Sequence, residues 1–324
     1  MNCKLNRGIC LKRMKNNFFG THYISVEALT REDVDFIFQK TIQMRELVKT
    51  RGGNESLKGK ILNALFYEPS TRTFSSFVSA IQRLGGGFIP NRDISSTSVV
   101  KGETLSDTIR VLSQFSDCIV LRHPDKGSME IATAAATVPI INAGDGIGEH
   151  PTQGLQDLFT IQEHFGKQKN LHIVFVGAVG YYRPVSSLAR LLALYKDISI
   201  TFVAPKEVGI QKDLRIFLEK KNVSFSEVES LKDVLPQADV LYVTRVKKEY
   251  MDPQLYEKVK DRYIITPQTI AQFKKNAIIM HALPTVHEIE ESVHRDSRSI
   301  YFTTQLRNGL YTKMALLEVI LKKE

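Results

Sequence analysis

Residues 60–67 read Lys-Ile-Leu-Asn-Ala-Leu-Phe-Tyr, apolar at every interior position but Asn63, which suits a short strand covered on both faces. After Thr73 the period changes. Phe74, Phe77, Val78, Ile81 and Leu84 recur at helical spacing, and Gly85-Gly86-Gly87 follows as a C-terminal stop. The alternation then repeats: segments 117–121 and 139–142 read as buried strands, with a helical stretch over 131–136 between them. Segment 153–165 carries Leu155, Leu158, Phe159 and Ile161 on a helical pattern and ends at Gly166 before a Lys/Gln/Asn loop. A second series opens with a strand over 171–177 and continues through 198–203, 240–243 and 277–280 to a last helix over 310–321. Strands alternating with helices predict an α/β protein with mostly parallel sheets flanked by helices. The expected units are a basic extension over 1–24, a first domain over 25–165 completed by the helix in 310–324, and a second domain over 166–309, joined by bridging helices. Neither an internal repeat nor a low-complexity segment interrupts the pattern.

The polar residues that end these strands carry the chemistry. Glu68-Pro69-Ser70-Thr71-Arg72-Thr73 sits where the first strand hands over to a helix, so three hydroxyls and a guanidinium collect at a helix N-terminus. Unpaired N–H groups and the positive end of the helix dipole converge there, which makes an anion site, phosphate above all. An ordinary Ser/Thr N-cap beside a surface arginine fits the same string. Arg122-His123-Pro124, Ala143-Gly144-Asp145-Gly146 and His150-Pro151-Thr152-Gln153 end the next strands, and ligands of open α/β sheets gather at such carboxyl ends. Two other strings fail their tests. Val176-Gly177-Ala178-Val179-Gly180 follows a strand but misses the G-x-G-x-x-G spacing, and Arg183-Pro184 stands where a third small residue is needed. His287-Glu288 with Glu291 lacks a second histidine four residues on, and reads as a solvated acidic helix face rather than a zinc site.

Composition narrows the classes. With 324 residues, 43% hydrophobic and 24% charged, the chain has the balance of a globular protein long enough for two domains. No apolar run approaches the length of a membrane span. Cys3, Cys10 and Cys118 show no paired or metal-type spacing, which points to a reducing compartment. Much of the net charge of +9 comes from Lys4, Arg7, Lys12, Arg13 and Lys15, all ahead of the first acidic residue, Glu27. That start suits either a disordered extension of a cytoplasmic protein or the remnant of an organelle-targeting peptide. The other basic residues are dispersed among acids without a nucleic-acid-binding motif, so no nucleic acid is expected as a partner.

Taken in order, Ser70-Thr71-Arg72-Thr73, Lys101-Gly102-Glu103-Thr104, Arg122-His123-Pro124, His150-Pro151-Thr152-Gln153, Thr244-Arg245-Val246 and His281-Ala282-Leu283-Pro284 resemble the carbamoyltransferase family over residues 25–324. The Ser-Thr-Arg-Thr and His-Pro-Thr-Gln strings are similar across the family, ornithine carbamoyltransferase included. The loop 98–103 and Thr-Arg-Val select the aspartate branch. The resemblance implies transfer of a carbamoyl group from carbamoyl phosphate to L-aspartate in pyrimidine synthesis, with no metal, no other cofactor and no covalent enzyme intermediate. It implies that Ser70, Thr71, Arg72, Thr73 and Arg122 hold the phosphate, and that Thr73, Arg122 and His150 face the carbonyl oxygen. Gln153 and the carbonyls of Leu283 and Pro284 would orient the carbamoyl amide. Arg183, Arg245 and Lys247 would hold the aspartate carboxylates. Ser98 and Lys101 would reach into the neighbouring subunit of a homotrimer, Lys101 acting at its aspartate.

Departures cluster on the aspartate side. Gly177-Ala178-Val179-Gly180 replaces a Gly-Asp-Leu-Lys-type loop, Arg183-Pro184-Val185-Ser186 replaces Arg-Thr-Val-His, and Thr285 stands where an arginine is usual. Tyr250 replaces an arginine that the family pairs between domains. A carbamoyltransferase for another amine, or a non-catalytic trimeric assembly subunit, therefore stays open beside the main expectation.

Overall fold

Two all-parallel sheets organise the chain, which a computed structural model describes over residues 17–92, 98–166, 169–246 and 248–323. The first contains β1 (Ile61–Phe66), β2 (Gly87–Asn91), β3 (Cys118–His123) and β4 (Ile140–Asp145) in the order β2-β1-β3-β4. The second contains β5 (Leu171–Val176), β6 (Ile198–Val203), β7 (Ser224–Val228), β8 (Val240–Val243) and β9 (Ile278–His281) in the order β7-β6-β5-β8-β9. In the first sheet, side chains alternate between two cores as the pleat requires. Leu62, Ala64 and Phe66 face one layer of helices, while Leu65, Ile119 and Leu121 face the other.

The helices are α1 (Arg31–Arg51), α2 (Thr71–Arg83), α3 (Leu105–Leu112), α4 (Ser128–Ala135), α5 (Pro151–Phe165), α6 (Arg183–Leu192), α7 (Lys212–Lys220), α8 (Pro253–Val259), α9 (Pro267–Ile270) and α10 (Thr304–Leu321). A capping box between Thr30 and Asp33 starts α1, and Gly52 at φ 78° ends it. Buried Val34, Ile37, Phe38, Thr41 and Met44 then form a stripe against α10, which also packs on α2 and α5. Since α5 packs on α6 as well, α5 and α10 form the layer shared by the two sheets. That layer fixes where the two rows of strand ends meet.

Several boundaries differ from the sequence expectation. Helix α2 stops at Arg83, and Gly87 opens β2 instead of extending the helix stop. Helix α10 begins at Thr304, before 310, because Gln305 and Asn308 are buried against α5 and not solvated. Segments β2 and β7, both at sheet edges, were not expected at all.

Candidate active site

The end of β3 and segments that follow β1, β2, β4, β5, β8 and β9 border a cavity of about 660 Å³ between the two sheets. Ser70 is the N-cap of α2 in extended conformation, and its side chain makes no capping bond to the helix. The hydroxyl is therefore not consumed as an ordinary cap, and Ser70, Thr71, Arg72 and Thr73 all line the cavity. Loss of hydration there lowers the Arg72 pKa, with Tyr182 opposing the shift and Arg245 adding to it. A nearby arginine across the cavity disfavours the charged form, as expected where cations gather for an anion.

Glu68 ties the cations together. Its Oε2 lies 3.0 Å from Arg183 Nη2 and 3.2 Å from Arg122 Nε, the latter close but not aligned as a hydrogen bond. Its Oε1 accepts from the Tyr250 hydroxyl at 2.7 Å. Burial alone would raise the Glu68 pKa, but Arg183, the Tyr250 hydroxyl and Arg122 pull it below the ordinary value. Arg122 is pushed down to about 10, by burial first and by Arg183 second, against the pull of Glu68. Arg183 is 3% exposed, and Nη1 donates to Gly146 O at 2.8 Å. Gly144, at φ 120°, leaves room for it, since a Cβ there would lie 3.0 Å from Arg183 Cζ. Tyr250 thus keeps a bond between the domains at the position where the arginine is missing, now as a hydrogen bond to a carboxylate.

His150 is the N-cap of α5 and lies 3.4 Å through Nε2 from Thr73 Oγ1. Its backbone N–H donates to Ser187 Oγ at 2.9 Å, so α6 fixes the start of α5. Gln153 sits in the first turn of α5 and donates through Nε2 to Asp157 Oδ1 at 2.8 Å. Opposite, β9 delivers His281, whose Nδ1 accepts from Leu283 N at 2.7 Å and holds Leu283 at φ 59°. His281 Nε2 is 2.9 Å from Glu288 Oε1, close but not aligned as a hydrogen bond, and Glu288 Oε2 accepts from Val286 N and His287 N. Burial works to raise the Glu288 carboxyl, but His281 and these N–H groups carry it down to about 2.

The expectation of a solvated acidic helix at 287–291 is corrected by this geometry. Glu288 is buried and paired, and only a 3-10 turn, Glu291–Arg295, follows. Sequence spacing missed it because its partner, His281, comes from the preceding strand rather than from one helical turn away. The cavity gathers Arg122, His150, Gln153, Arg183, Arg245, Leu283 and Pro284 with the Ser70–Thr73 turn. Lys101 is exposed at the end of the 3-10 turn Ser98–Lys101 and does not line this cavity. Lys247 lies outside the described residues. Lining residues that sequence reasoning did not name include Arg92, Gln156, Tyr182 and Lys313, while Glu68 and Tyr250 were named without a binding role. A second cavity of about 390 Å³ is lined by Glu27, Glu130, Asp145, Glu149 and Asp213 with Lys126 and Arg190, a charge balance unsuited to an anion. Among the described residues, no three His, Cys, Asp or Glu side chains gather as metal ligands, and no helix is long and apolar enough to cross a membrane.

The carbamoyl-phosphate-binding domain of the aspartate/ornithine carbamoyltransferases matches residues 21–163, and their Asp/Orn-binding domain matches residues 169–320. The aspartate carbamoyltransferase catalytic subunit of Methanocaldococcus jannaschii is 45% identical over 302 residues, 93% of this chain and 98% of that protein. The multifunctional protein pyr1-3 of Dictyostelium discoideum is 45% identical over 94% of this chain, which spans only 14% of that protein's length. A crystal structure of aspartate transcarbamoylase from Trypanosoma cruzi, in complex with carbamoyl phosphate and aspartate, superposes with a TM-score of 0.89 at 35% identity, covering 94% of this chain and 98% of that one. With both family domains matched in order along nearly its whole length, the chain belongs to the aspartate/ornithine carbamoyltransferase family.

Proposed function

We propose that the chain transfers the carbamoyl group of carbamoyl phosphate to the amine of L-aspartate, giving N-carbamoyl-L-aspartate and inorganic phosphate for pyrimidine biosynthesis. One observation carries the reading: Arg72 and Arg122 from the first sheet's strand ends and Arg183 and Arg245 from the second line a single cavity. Such a distribution suits two anionic substrates, one per domain. The phosphate is held by the Ser70–Thr73 turn with Arg122, through backbone N–H groups and planar guanidinium forks. The aspartate carboxylates are held by Arg183 and Arg245. The amine nitrogen forms a bond to the carbonyl carbon, the bond from that carbon to the phosphate oxygen breaks, and phosphate leaves with the electron pair as the amine loses a proton. Thr73, Arg122 and His150 stabilise charge growing on the carbonyl oxygen, and Gln153 with the Leu283 and Pro284 carbonyls fixes the amide. Positioning and electrostatics supply the rate.

A homotrimer completes the site in this reading. Lys101 is exposed outside its own chain's cavity, and exposed Val100, Val111, Phe115 and Ile131 leave apolar surface on and beside α3 and α4 for a second copy. Ser98 and Lys101 then serve the neighbour. A colorimetric assay for carbamoyl product with aspartate, with ornithine and without acceptor tests the proposal. Product with aspartate alone is expected; product with ornithine, or none with either, overturns it.

A further inference from the structure

Asp157 lies one turn after Gln153 on α5, with no exposed surface, and three donors from three elements converge on it. Its Oδ1 accepts from Gln153 Nε2 at 2.8 Å and from Gln305 Nε2, on α10, at 2.7 Å. Its Oδ2 accepts from the Tyr242 hydroxyl, on β8, at 2.7 Å. An ionised carboxylate only accepts, so each glutamine must turn its NH2 toward Asp157 and its carbonyl oxygen away. For Gln305 that oxygen is accounted for: Oε1 accepts from His281 N at 3.1 Å, at the end of β9 just before Leu283. For Gln153 it is left to the cavity that the residue lines.

We propose that Asp157 is a positioning residue for the carbamoyl amide. It presents Gln153 Oε1 to the cavity and, through Gln305, anchors the Leu283–Pro284 segment opposite. The inference rests on the proposed carbamoyl transfer. One carboxylate thereby couples two acceptor groups from different domains that must face the same NH2, which explains why it is buried without an ion-pair partner in direct contact among the described residues. Burial raises its pKa to about 7 against the three hydrogen bonds and the more distant Lys313. Lys313, over the Phe77 ring on the α10 side, is itself lowered to about 8 by burial, while Tyr242 on β8 and Tyr182 beside α6 stay protonated far above neutrality. Asp157 is therefore the group of this set that gains a proton just below neutral pH. The proton removes the charge to which both amide N–H groups bond and loosens the hold on them, as Asp157→Asn does at every pH.

The test uses the full chain and initial rates with carbamoyl phosphate and aspartate, on Asp157→Ala, Asp157→Asn, Gln153→Ala and the Asp157→Ala/Gln153→Ala double variant. Asp157→Ala should lower kcat/KM for carbamoyl phosphate by about 100-fold or more, with KM for aspartate moving less than about threefold. The double variant should be no worse than about threefold below the weaker single, because both remove one oriented group. Wild type should lose kcat/KM below about pH 7. Asp157→Asn, which keeps an acceptor oxygen but cannot titrate, should retain activity within about tenfold at pH 8 and lack that acid limb. Losses that multiply in the double variant, or an effect on aspartate KM alone, overturn the proposal. An unchanged acid limb in Asp157→Asn also overturns it, and this profile decides alone if Asp157→Ala does not fold. A wild type that makes no carbamoyl product sinks the proposed function and this inference with it, whereas an active wild type matched by its Asp157 variants sinks only this inference.

Discussion

Glu68→Gln keeps the side chain's shape and removes the charge that holds Arg183 and Tyr250 of the second domain to Arg122 of the first. Glu68 is 18% exposed and Arg183 is 3% exposed, so the contact with Arg183 sits largely out of water. Hydrogen bonds to charged groups are worth about 1.5–3 kcal/mol each, and leaving a buried charge without its partner costs more than the bond itself. The amide can still accept one bond, so a loss of about 2–3 kcal/mol in unfolding free energy is expected near neutral pH. Tyr250→Phe removes only the 2.7 Å hydroxyl bond and should cost about 1–2 kcal/mol. Because both variants cut the same contact, the double variant should fall short of their sum by about 1 kcal/mol. Urea unfolding of the four proteins measures all three quantities. The sign with pH follows from the lowered carboxyl. Its contribution is complete above the ordinary value of 4.5 and disappears as pH falls through the lower folded value, so the wild-type advantage over Glu68→Gln should vanish in acid. Strict additivity at neutral pH, or a Glu68→Gln protein as stable as wild type, would refute the interdomain contact as a source of stability.

Arg72→Ala should weaken carbamoyl phosphate binding by roughly 2 kcal/mol, about 30-fold, with the fold intact, as read by calorimetric titration; unchanged affinity would remove Arg72 from the phosphate cradle. Co-refolding equal amounts of Arg72→Ala and Lys101→Ala chains, each nearly inactive alone, should restore roughly a quarter of wild-type sites, because a complete site needs the right chain on both sides of a directional interface. No recovery, with subunit exchange confirmed by mass spectrometry, would place Lys101 outside the neighbour's site. Glu288 is carried down to about 2, so it stabilises the fold above 4.5 and loses that effect as pH falls through about 2. Glu288→Gln should therefore be less stable than wild type at neutral pH, on the order of 3 kcal/mol at most, and equal to it in strong acid, measured by urea unfolding across that range.

The central strands of both sheets were legible because burial on two faces leaves near-continuous apolar runs, as in 61–66, 118–121 and 240–243. Edge strands were not. In β7 the residues Ser224, Ser226 and Glu227 are exposed, and β2 contains Pro90, which only an edge tolerates, so neither shows an apolar run. Helix α1 could have been found from its capping box and its 34-37-38-41-44 stripe, although charges crowd its other faces. At the site, ordered strings disclosed the groups that point at the cavity. Groups that act by holding those residues stayed hidden, since Glu68, Asp157, Gln305 and Glu288 find their partners across 115, 85, 148 and 7 residues of chain respectively. No local spacing rule reaches such pairs except the last, and there the strand end turns back on itself.

The electrostatics give the proposed reaction an order. Arg72 stands in the first turn of α2, just after β1, and Arg122 near the end of β3 in the same sheet, so the phosphate side exists without help from the second domain. Arg183 and Arg245 come from the other sheet's side, and after burial they depress the first pair: Arg245 lowers Arg72, and Arg183 lowers Arg122. Bringing the sheets together is therefore opposed by like charge, and Glu68 offsets it with only one carboxylate for two guanidiniums in direct contact. A bound phosphate dianion adds the missing negative charge at the first-domain side. It lowers the cost of approaching with Arg183 and Arg245, which then meet the aspartate carboxylates. On this argument carbamoyl phosphate binds first, and aspartate saturation depends on it. A bisubstrate analogue with a phosphonate and two carboxylates should bind far more tightly than phosphate or aspartate alone, because it supplies every countercharge at once. Aspartate binding of equal strength with and without a phosphate analogue would show that repulsion between the two sets of arginines does not govern the order.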